Sequence, residues 1–337
     1  MPPFDQNIAR SDAEALIPED FFMEIQKAIP AQSAVLTLAR QLPSGTAKQK
    51  RLPVMSSLPQ AYFVDGEAPD GGMKPTTAAQ WKNKFVDYEE IAVIVPIPIA
   101  VLDDSGFPIW EEVRPYIVEA AGAKIDGAVL FGEDAPASYP GAVVESAIAA
   151  GKSVALGTGA DLYDDLLAED GVFAAVEEDG WEVTGQVAHP RFRGKLRGLR
   201  DQNKQPIFKR AQPDGQNVQQ RTVYDVDGVP LTFLRNGAFD ESEAHLIAGA
   251  FDQLVHSFRR DATFDVLREA VITNADGNVI LNLPQQNMVA LRMFMRWGWQ
   301  LPNPVTRLNP TEGGKVGAGG SDQVGRYPFA VLTPTPS

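Results

Sequence analysis

The chain has 337 residues, of which 44% are hydrophobic and 22% are charged, and its formal net charge is −14. This composition is typical of a globular protein with enough length for one large domain or two ordinary ones. The chain has no cysteine, which excludes disulfide scaffolds, cysteine-ligated zinc and thiol catalysis, and its negative charge argues against wrapping nucleic acid by overall electrostatics.

The N-terminal segment, residues 1–52, is predicted to be an extended arm that carries one short amphipathic helix. Phe21 and Phe22 fall near helical spacing with two isoleucines further along. The segment is acidic and interrupted by prolines, so it lacks the pattern of a signal peptide. The longest apolar run of the chain, residues 91–102, contains two prolines and is too short to span a bilayer.

The next segment, residues 53–98, is predicted to form two strands joined by a wide, glycine-rich tip. A two-stranded hairpin of this kind cannot bury enough surface to be stable in water on its own. It nevertheless carries five aromatic residues, which are Tyr62, Phe63, Trp81, Phe85 and Tyr88. We therefore expect a partner to bury these side chains, the alternative being that the hairpin folds back on its own domain.

A long helix is predicted after the hairpin, within the segment FPIWEEVRPYIVEAAGAKIDGAVLFG. An apolar stripe at i, i+3 and i+4 spacing runs from Trp110 to Val129. Asp103, Asp104 and Ser105 are candidate caps for this helix. Pro115 is expected to kink it or to break it near its start.

The remainder of the chain is predicted to mix short helices, strands and turns, as in an α+β protein. Asp161 is expected to begin a helix, and GWEVTGQVAHP is expected to form a strand. Turns are expected near Arg260-Asp261 and at residues 274–277. Residues 285–299, QQNMVALRMFMRWGW, have a helix-like composition, and the segment YPFAVLT is predicted to be the final strand.

A search for chemical motifs finds none that predicts catalysis, cofactor binding or metal coordination. GxSxG, GxxxxGK[ST], HExxH and a complete GxGxxG are absent from the sequence. The three histidines, His189, His245 and His256, are not at metal-ligand spacing from one another. The sequence therefore predicts no catalytic residues, no cofactor and no metal site.

One local exception to the acidic character is the segment HPRFRGKLRGLRDQNK at residues 189–204. It contains Arg191, Arg193 and Arg197 among other basic residues. Two interpretations are open, namely a phosphate-facing patch or a strand that leads into a solvated helix or loop.

The order of these parts resembles that of the HK97-like major capsid proteins of tailed bacteriophages. IDGAVLFGE at 125–133 resembles the end of the family's spine helix, and GWEVTGQVAHPRFRGKLRGLRD at 180–201 resembles part of its axial domain. IAGAFDQLVHSFRRDATFDVLRE at 247–269 is similar to its central strands. NMVALRMFMRWGWQLPNPVTRL at 287–308 resembles its last peripheral helix and the strand that follows. Together these likenesses cover nearly the whole chain.

The resemblance implies an α+β HK97-like capsid fold with an N-terminal arm, an extended E-loop, a long spine helix, and peripheral and axial domains. The implied regions are the arm at 1–52, the E-loop hairpin at 53–98, the spine helix and peripheral domain at 99–139, most of the axial domain at 140–272, and a return to the peripheral domain with the C-terminal strand at 273–337. In this arrangement the E-loop lies across a neighbouring subunit, which would bury its aromatic side chains.

Some members of this family join their subunits by an isopeptide bond between an E-loop lysine and an asparagine near the last helix. Asn287 falls where that asparagine is expected, and Lys74, Lys82 and Lys84 lie on the loop. The carboxylate that takes up the lysine proton is expected seven residues after the asparagine, where this chain has Phe294. A phenyl ring cannot accept a proton, so we predict no cross-link.

The function implied by the resemblance is that of a major capsid protein, which self-assembles into hexamers and pentamers of an icosahedral head around double-stranded DNA. We expect no enzymatic activity. The predicted subunit-interface residues are Phe21, Phe22, Tyr62, Phe63, Trp81, Phe85, Arg191, Arg193 and Arg197. Two alternatives are an encapsulin shell protein, and an oligomeric α+β enzyme or sugar-binding protein that uses Trp297 and Trp299 as a stacking platform.

The resemblance also implies assembly partners. Family members with a built-in scaffold carry a long extra segment before the arm, whereas 52 residues precede the hairpin here and the chain begins at Met1. We therefore expect no removed propeptide, a separate scaffolding protein and a portal protein, and we leave a decoration protein open. The protein is expected to be made in the cytoplasm of a bacterial host and to end in the virion capsid, without contact with a membrane and without sequence-specific DNA binding.

Overall fold

The structure is a computed structural model that describes residues 33–64, 74, 76–104, 108–199, 224–274, 276–310 and 325–335. Its helices are α1 (Ala34–Leu38), α2 (Ile99–Asp104), α3 (Ile109–Leu130), α4 (Val143–Ala149), α5 (Leu162–Leu167), α6 (Val172–Glu177) and α7 (Phe192–Gly198). Its strands are β1 (Arg40–Gln41), β2 (Gln49–Ser57), β3 (Gln80–Asp87), β4 (Glu89–Pro98), β5 (Ser153–Ala155), β6 (Gly185–Ala188), β7 (Tyr224–Val226), β8 (Val229–Phe233), β9 (Leu246–Gly249), β10 (Val255–Leu267), β11 (Val271–Thr273), β12 (Val279–Asn282), β13 (Met288–Gln300) and β14 (Phe329–Thr333).

Strand β13 lies inside a four-stranded sheet with the order β1-β10-β13-β4. It pairs antiparallel with β10 on one side and with β4 on the other, so both of its edges are hydrogen-bonded. Successive side chains of a strand point to opposite faces. The buried face of β13 carries Val289, Leu291, Met293, Met295, Trp297 and Trp299. Apolar residues of α3 lie in the same hydrophobic core as this face, which places the long helix against the sheet.

The helix predicted at residues 285–299 is wrong, because most of this segment forms β13. Methionine, leucine, alanine and arginine favour helices in isolation, and they dominate the segment. From Leu291 to Trp299, however, a buried apolar side chain recurs at every second position, which is the pattern of a strand with one buried face. Strands on both sides supply partners for the backbone, so tertiary pairing overrides the local helical preference.

The predicted long helix is confirmed as α3, which has 22 residues. Pro115 lies inside it and does not end it. The predicted caps are wrong, because Asp103 and Asp104 belong to the separate helix α2 and the residue that precedes α3 is Pro108. The third candidate, Ser105, lies outside the described residues. Packing of the apolar stripe into the core offsets the backbone hydrogen bond that a proline inside a helix removes.

The second large sheet has six strands in the order β5-β14-β9-β6-β8-β7 and is buried on both faces. Ile247 and Val331 belong to the core that contains α3, whereas their neighbours Leu246 and Leu332 belong to a second core with residues of α5, α6 and α7. A strand that is buried on both faces needs consecutive apolar residues. The segments LIAG of β9 and FAVLT of β14 have this composition, and β14 confirms the predicted final strand.

The two sheets do not correspond to continuous stretches of the chain. Strand β10 lies in the four-stranded sheet although β9 lies in the six-stranded one, and β14 pairs with β5 and β9. The ranges predicted for the axial domain, 140–272, and for the return to the peripheral domain, 273–337, therefore each supply strands to both sheets.

Two of the predicted local signals are confirmed and one is wrong. Asp161 caps α5 by accepting hydrogen bonds from two backbone N–H groups of the first turn. The turn at 274–277 joins β11 to β12. No turn ends the strand at Arg260-Asp261, because β10 continues through this site with irregular pairing to β13 between Phe258 and Thr263. Such an irregularity absorbs extra residues without reversing the chain.

Candidate subunit-interaction surfaces

Strands β2 and β3 pair antiparallel and form a two-stranded sheet of their own, which we call the hairpin. The prediction of two paired strands is confirmed here, with different bounds, and most of the predicted glycine-rich tip lies outside the described residues. The predicted second half included Glu89–Pro98, which instead forms β4 and pairs with β13. The first strand also begins earlier than predicted, at Gln49. The hairpin therefore joins directly to an edge strand of the four-stranded sheet.

The aromatic side chains of the hairpin and its approach are exposed. The aromatic residues predicted for the interface were Phe21, Phe22, Tyr62, Phe63, Trp81 and Phe85. The first two lie outside the described residues, and the other four are exposed, with Trp81 at 65% and Phe85 at 40% of their free surface. An exposed cluster of large apolar side chains on one element is typical of an interaction surface.

Tyr88 differs from the other aromatic residues of the predicted hairpin, because its ring is buried by its own chain. Its hydroxyl donates a hydrogen bond to Ser257 Oγ at 3.0 Å. Lys84 Nζ donates to the backbone oxygen of Leu301 at 2.8 Å. The hairpin is thus attached to the body on the face of β3 that carries Lys84 and the buried Val86, while Trp81 and Phe85 lie on the opposite face and remain exposed.

Gly298 of β13 permits the close approach of the hairpin base to the four-stranded sheet. A Cβ atom at this position would lie 2.1 Å from the backbone oxygen of Asp87, at the end of β3. No larger residue fits without displacing the backbone there. The sequence motif RWGW contained this glycine, and sequence analysis assigned it no role.

Asp126 of α3 holds the first described residues of the chain. Its carboxylate accepts hydrogen bonds from Ser33 Oγ at 2.6 Å, from the backbone N–H groups of Ala34 at 3.1 Å and Val35 at 3.0 Å, and from Asn236 Nδ2 at 2.7 Å. Burial raises the pKa of this carboxyl, and the four hydrogen bonds act in the opposite direction. Sequence analysis missed this role, although a single carboxylate in an apolar helical stripe was a usable signal.

The basic segment after β6 forms α7 and the residues next to it. Arg191 donates to the carboxylate of Glu241 at 3.1 Å, and the Arg193 guanidinium lies 4.6 Å from the centre of the Phe233 ring. Arg197 is exposed on α7. Two of the three predicted interface arginines therefore contact groups of their own chain.

The predicted cross-link positions lie at the start and in the middle of β13. Asn287 is exposed and has a positive φ of 49°. The ring of Phe294 lies between two guanidinium groups, with centroid distances of 4.2 Å to Arg260 and 5.2 Å to Arg292. A carboxylate on the same face, Asp265, is held by Arg292 at 2.9 Å. This arrangement binds cations on an aromatic face and places no proton acceptor at position 294.

Trp297 and Trp299 cannot form the stacking platform that the enzyme or sugar-binding alternative needs. Both rings are buried in the core, with 0% and 1% of their surface exposed. Trp297 Nε1 donates a hydrogen bond to His256 Nδ1 at 3.3 Å. A ligand cannot reach either ring face, so this alternative loses its proposed site.

The described ranges contain neither a metal-binding cluster nor a membrane-spanning helix. In that part of the chain, no cluster of three or more histidine or carboxylate side chains is arranged to hold a metal ion. None of the described helices has the length and apolar character to cross a membrane. His189 instead contacts Glu241 at 2.5 Å, and His245 lies 3.3 Å from Lys195.

Comparison with known proteins gives these surfaces a context. A profile of the phage capsid family matches residues 13–305. The major capsid protein of Staphylococcus phage 80alpha is 25% identical over 296 residues, which are 86% of this chain and 83% of that protein. A solved structure from Microbacterium phage Oxtober96 has a TM-score of 0.79 and 35% identity, and the match covers 98% of this chain and 100% of that one. One from Mycobacterium phage Adephagia has a TM-score of 0.77 and 28% identity, with 98% and 99% covered.

The fold is therefore that of a structural protein of a virus particle, not of an enzyme. The chain belongs to the phage capsid family, and it has the α+β HK97-like fold that its sequence predicted. It is a major capsid protein, a component of the virion.

Proposed function

We propose that this capsid protein assembles through the hairpin into hexamers and pentamers, which close into an icosahedral head around double-stranded DNA. The observation that carries the proposal is the exposure of Trp81 and Phe85 on the hairpin, in a chain that buries Trp297 and Trp299 fully. A neighbouring copy that covers the hairpin would remove this aromatic surface from water.

The free energy gained by burying these aromatic side chains against a neighbour is large compared with the free energy that the hairpin contributes to the stability of its own subunit. An aromatic side chain buries about 150–250 Å² when it is fully covered. Burial of apolar area stabilises by roughly 25 cal/mol per Å². The hairpin cannot provide that cover itself, because its own chain buries the face with Val54 and Val86, whereas Trp81 and Phe85 lie on the face of β3 opposite Val86. A contact between different surfaces of identical subunits closes into rings when the rotation between them allows it.

The charge of the hairpin supports a second copy as the partner. Its two strands carry four basic residues, Lys50, Arg51, Lys82 and Lys84, and one acidic residue, Asp87. The chain as a whole has a net charge of −14. A basic hairpin is therefore attracted to the average surface of another copy, which favours encounter and correct orientation.

The proposal also includes three assembly partners besides further copies of the chain. They are a separate scaffolding protein, a portal protein and double-stranded DNA that is enclosed without sequence-specific contacts. Synthesis takes place in the bacterial host cytoplasm. The acidic net charge supports enclosure rather than tight binding of DNA, because specific DNA contacts depend on neutralising phosphates with basic residues. We assign Arg197 and, in part, Arg191 to contacts between subunits, since both are exposed.

We further propose that subunits are not joined by lysine–asparagine bonds. A reactive lysine must lose its proton to a nearby base. At position 294 the chain has an aromatic ring with the guanidinium groups of Arg260 and Arg292 at 4.2 Å and 5.2 Å from its centroid, and none of these three groups can accept the lysine proton. Denaturing electrophoresis of assembled particles should show only the mass of a single chain, and a ladder of multiples would contradict the proposal.

The hairpin proposal is tested with the double variant Trp81→Ser, Phe85→Ser in the full chain. Wild-type protein, co-expressed with the genes for its assembly partners, should give shells or ring-shaped capsomers in negative-stain electron microscopy. The variant should remain a small species in analytical ultracentrifugation, because the apolar contact is lost while the subunit core is unchanged.

The matched control is Trp81→Tyr, Phe85→Tyr, which keeps aromatic rings at both positions and should still assemble. Shells of normal size from the serine variant would show that the hairpin does not hold subunits together. In that case the hairpin belongs functionally to its own subunit, as the alternative in the sequence analysis stated.

A further inference from the structure

A buried carboxylate far from the hairpin is connected through one short turn to the end of β2 that lies away from the hairpin base. We infer that Asp179 is a positioning residue, which sets the direction of the hairpin through the turn at residues 306–309. This inference rests on the proposed role of the hairpin in assembly. The Asp179 cluster is defined here as Lys152, Asp179, Thr306 and Asn309.

The body side of the cluster is a buried ion pair. Lys152 Nζ lies 2.9 Å from Asp179 Oδ2, and their side chains are 2% and 5% exposed. The same carboxylate accepts hydrogen bonds from Asn309 Nδ2 at 2.8 Å and from the backbone N–H of Tyr327 at 3.1 Å. Asp179 therefore joins three separate parts of the chain. Because its carboxylate is buried, the loss of any of these contacts would leave a buried polar group without its partner.

The turn itself is held by the Thr306 hydroxyl. Thr306 Oγ1 donates to the backbone oxygen of Asp179 at 2.6 Å and accepts from the backbone N–H of Asn309 at 3.1 Å. Gly180 has a φ of +81°, and a Cβ at this position would lie 3.3 Å from both Cβ and Oγ1 of Thr306. The turn thus packs directly on the backbone that follows α6, with little room to shift.

The other side of the turn holds the first strand of the hairpin where β2 ends. The backbone N–H of Leu58 donates to the oxygen of Pro310 at 2.9 Å, and the N–H of Val305 donates to the oxygen of Met55 at 3.3 Å. Arg307 donates to the oxygen of Pro59 at 2.8 Å. Residues on both flanks of the turn therefore hold the chain at residues 55–59.

These contacts make the turn a mechanical link between the body and the hairpin. Beyond Pro59 the chain leads to the exposed Tyr62 and Phe63, so a shift of residues 55–59 moves these rings as well. A subunit contact tolerates displacements of only a fraction of a side-chain diameter, because packed interfaces are as dense as protein interiors. Asp179 thereby affects assembly geometry without touching a neighbouring subunit.

The test uses substitutions that leave the buried ion pair intact, since Asp179→Asn would remove the nearer carboxylate of Lys152, leave it only Glu178 at 3.6 Å, and could prevent folding. Thr306→Val removes the hydroxyl at nearly constant shape, and Asn309→Ala removes the amide. Hydrogen exchange is followed by mass spectrometry in the full-length unassembled subunit, at the amides of Leu58 and Val305. In the double variant these amides should exchange about tenfold faster or more, because local opening no longer breaks the hydroxyl and amide contacts of the turn.

Two controls separate positioning from general loosening. The single variant Thr306→Ser keeps the hydroxyl, so exchange at Leu58 should be as slow as in the wild type. Asp165→Asn changes another buried carboxylate of the same region, which accepts from the backbone N–H groups of Gly157 at 2.7 Å and Gly159 at 2.6 Å. This variant should leave exchange at Leu58 as in the wild type.

The outcomes distinguish this inference from the proposed function. Unchanged exchange at Leu58 in the Thr306→Val, Asn309→Ala variant overturns the positioning role, and so does an equal acceleration in Asp165→Asn. Faster exchange together with irregular or absent shells supports both statements. Faster exchange with normal shells supports the positioning role and contradicts the assembly role of the hairpin.

Discussion

Strands β3 and β13 both carry tryptophan and phenylalanine, yet they place these side chains in opposite environments. Trp81 on β3 is 65% exposed, whereas Trp299 on β13 is 1% exposed. Both strands pair antiparallel with a neighbour. The difference is that β13 has strands on both edges and an apolar layer with α3 over one face, whereas β3 pairs only with β2 and carries Trp81 and Phe85 on the face opposite its buried Val86. Residue type sets how much can be gained by burial, and the number of layers decides whether the chain itself realises that gain.

The largest effect on stability is expected for Trp299→Ala, on the buried face of β13. Truncation of a fully buried tryptophan removes many packing contacts and leaves a cavity, so we expect a loss of about 3–5 kcal/mol in the free energy of unfolding. Chemical denaturation of the unassembled subunit measures it. A loss below about 1 kcal/mol would contradict the assignment of this ring to the core.

The junction between the two regions is tested by Gly298→Ala. The added methyl group would meet the Asp87 backbone oxygen at 2.1 Å, so the hairpin base must move away from β13. We expect a loss of about 1–3 kcal/mol in unfolding free energy, as for other overpacked sites. Gly194→Ala in α7 is the control, because a Cβ there has open space and alanine favours a helix. Equal effects of the two substitutions would argue against the close approach at Gly298.

The buried side of β13 should also respond to pH through His256. Burial lowers the pKa of His256 below its usual 6.5. Between the folded pKa and 6.5, the unfolded chain therefore binds a proton at this residue that the folded chain does not bind. The contribution of this group to stability is complete above 6.5 and declines as the pH falls below it towards the folded pKa. Protonation at Nδ1 would also remove the acceptor of the Trp297 indole. Unfolding curves of wild type and His256→Gln between about pH 8 and pH 5 should show a smaller acid loss in the variant. Parallel curves would contradict this.

The smallest effect on the subunit is expected for Trp81→Ala on the hairpin. The ring is largely exposed, so its removal should change the unfolding free energy of the unassembled subunit by less than about 0.5 kcal/mol. Chemical denaturation under the conditions used for Trp299→Ala gives the direct comparison. A loss similar to that of Trp299→Ala would mean that the hairpin packs on its own body and would remove the contrast between the two strands.

The sequence alone determined the features whose signals lie within a short window. The stripe from Trp110 to Val129 predicted α3, turn residues predicted the hairpin and the turn at 274–277, and Asp161 predicted the start of α5. Order along the chain and local likeness to known capsid proteins predicted the family.

Only the tertiary structure decided the features that depend on residues far apart in the chain. β13 is a strand because β4 and β10 pair with it, although its composition favours a helix. Asp126 and Asp179 have defined roles only because they meet groups 93 and 130 residues away. The same holds for Tyr88, which is buried, and Trp81, which is exposed, on adjoining parts of one segment. Local periodicity and turn chemistry are properties of neighbouring residues, whereas burial depends on which distant elements pack on a side chain.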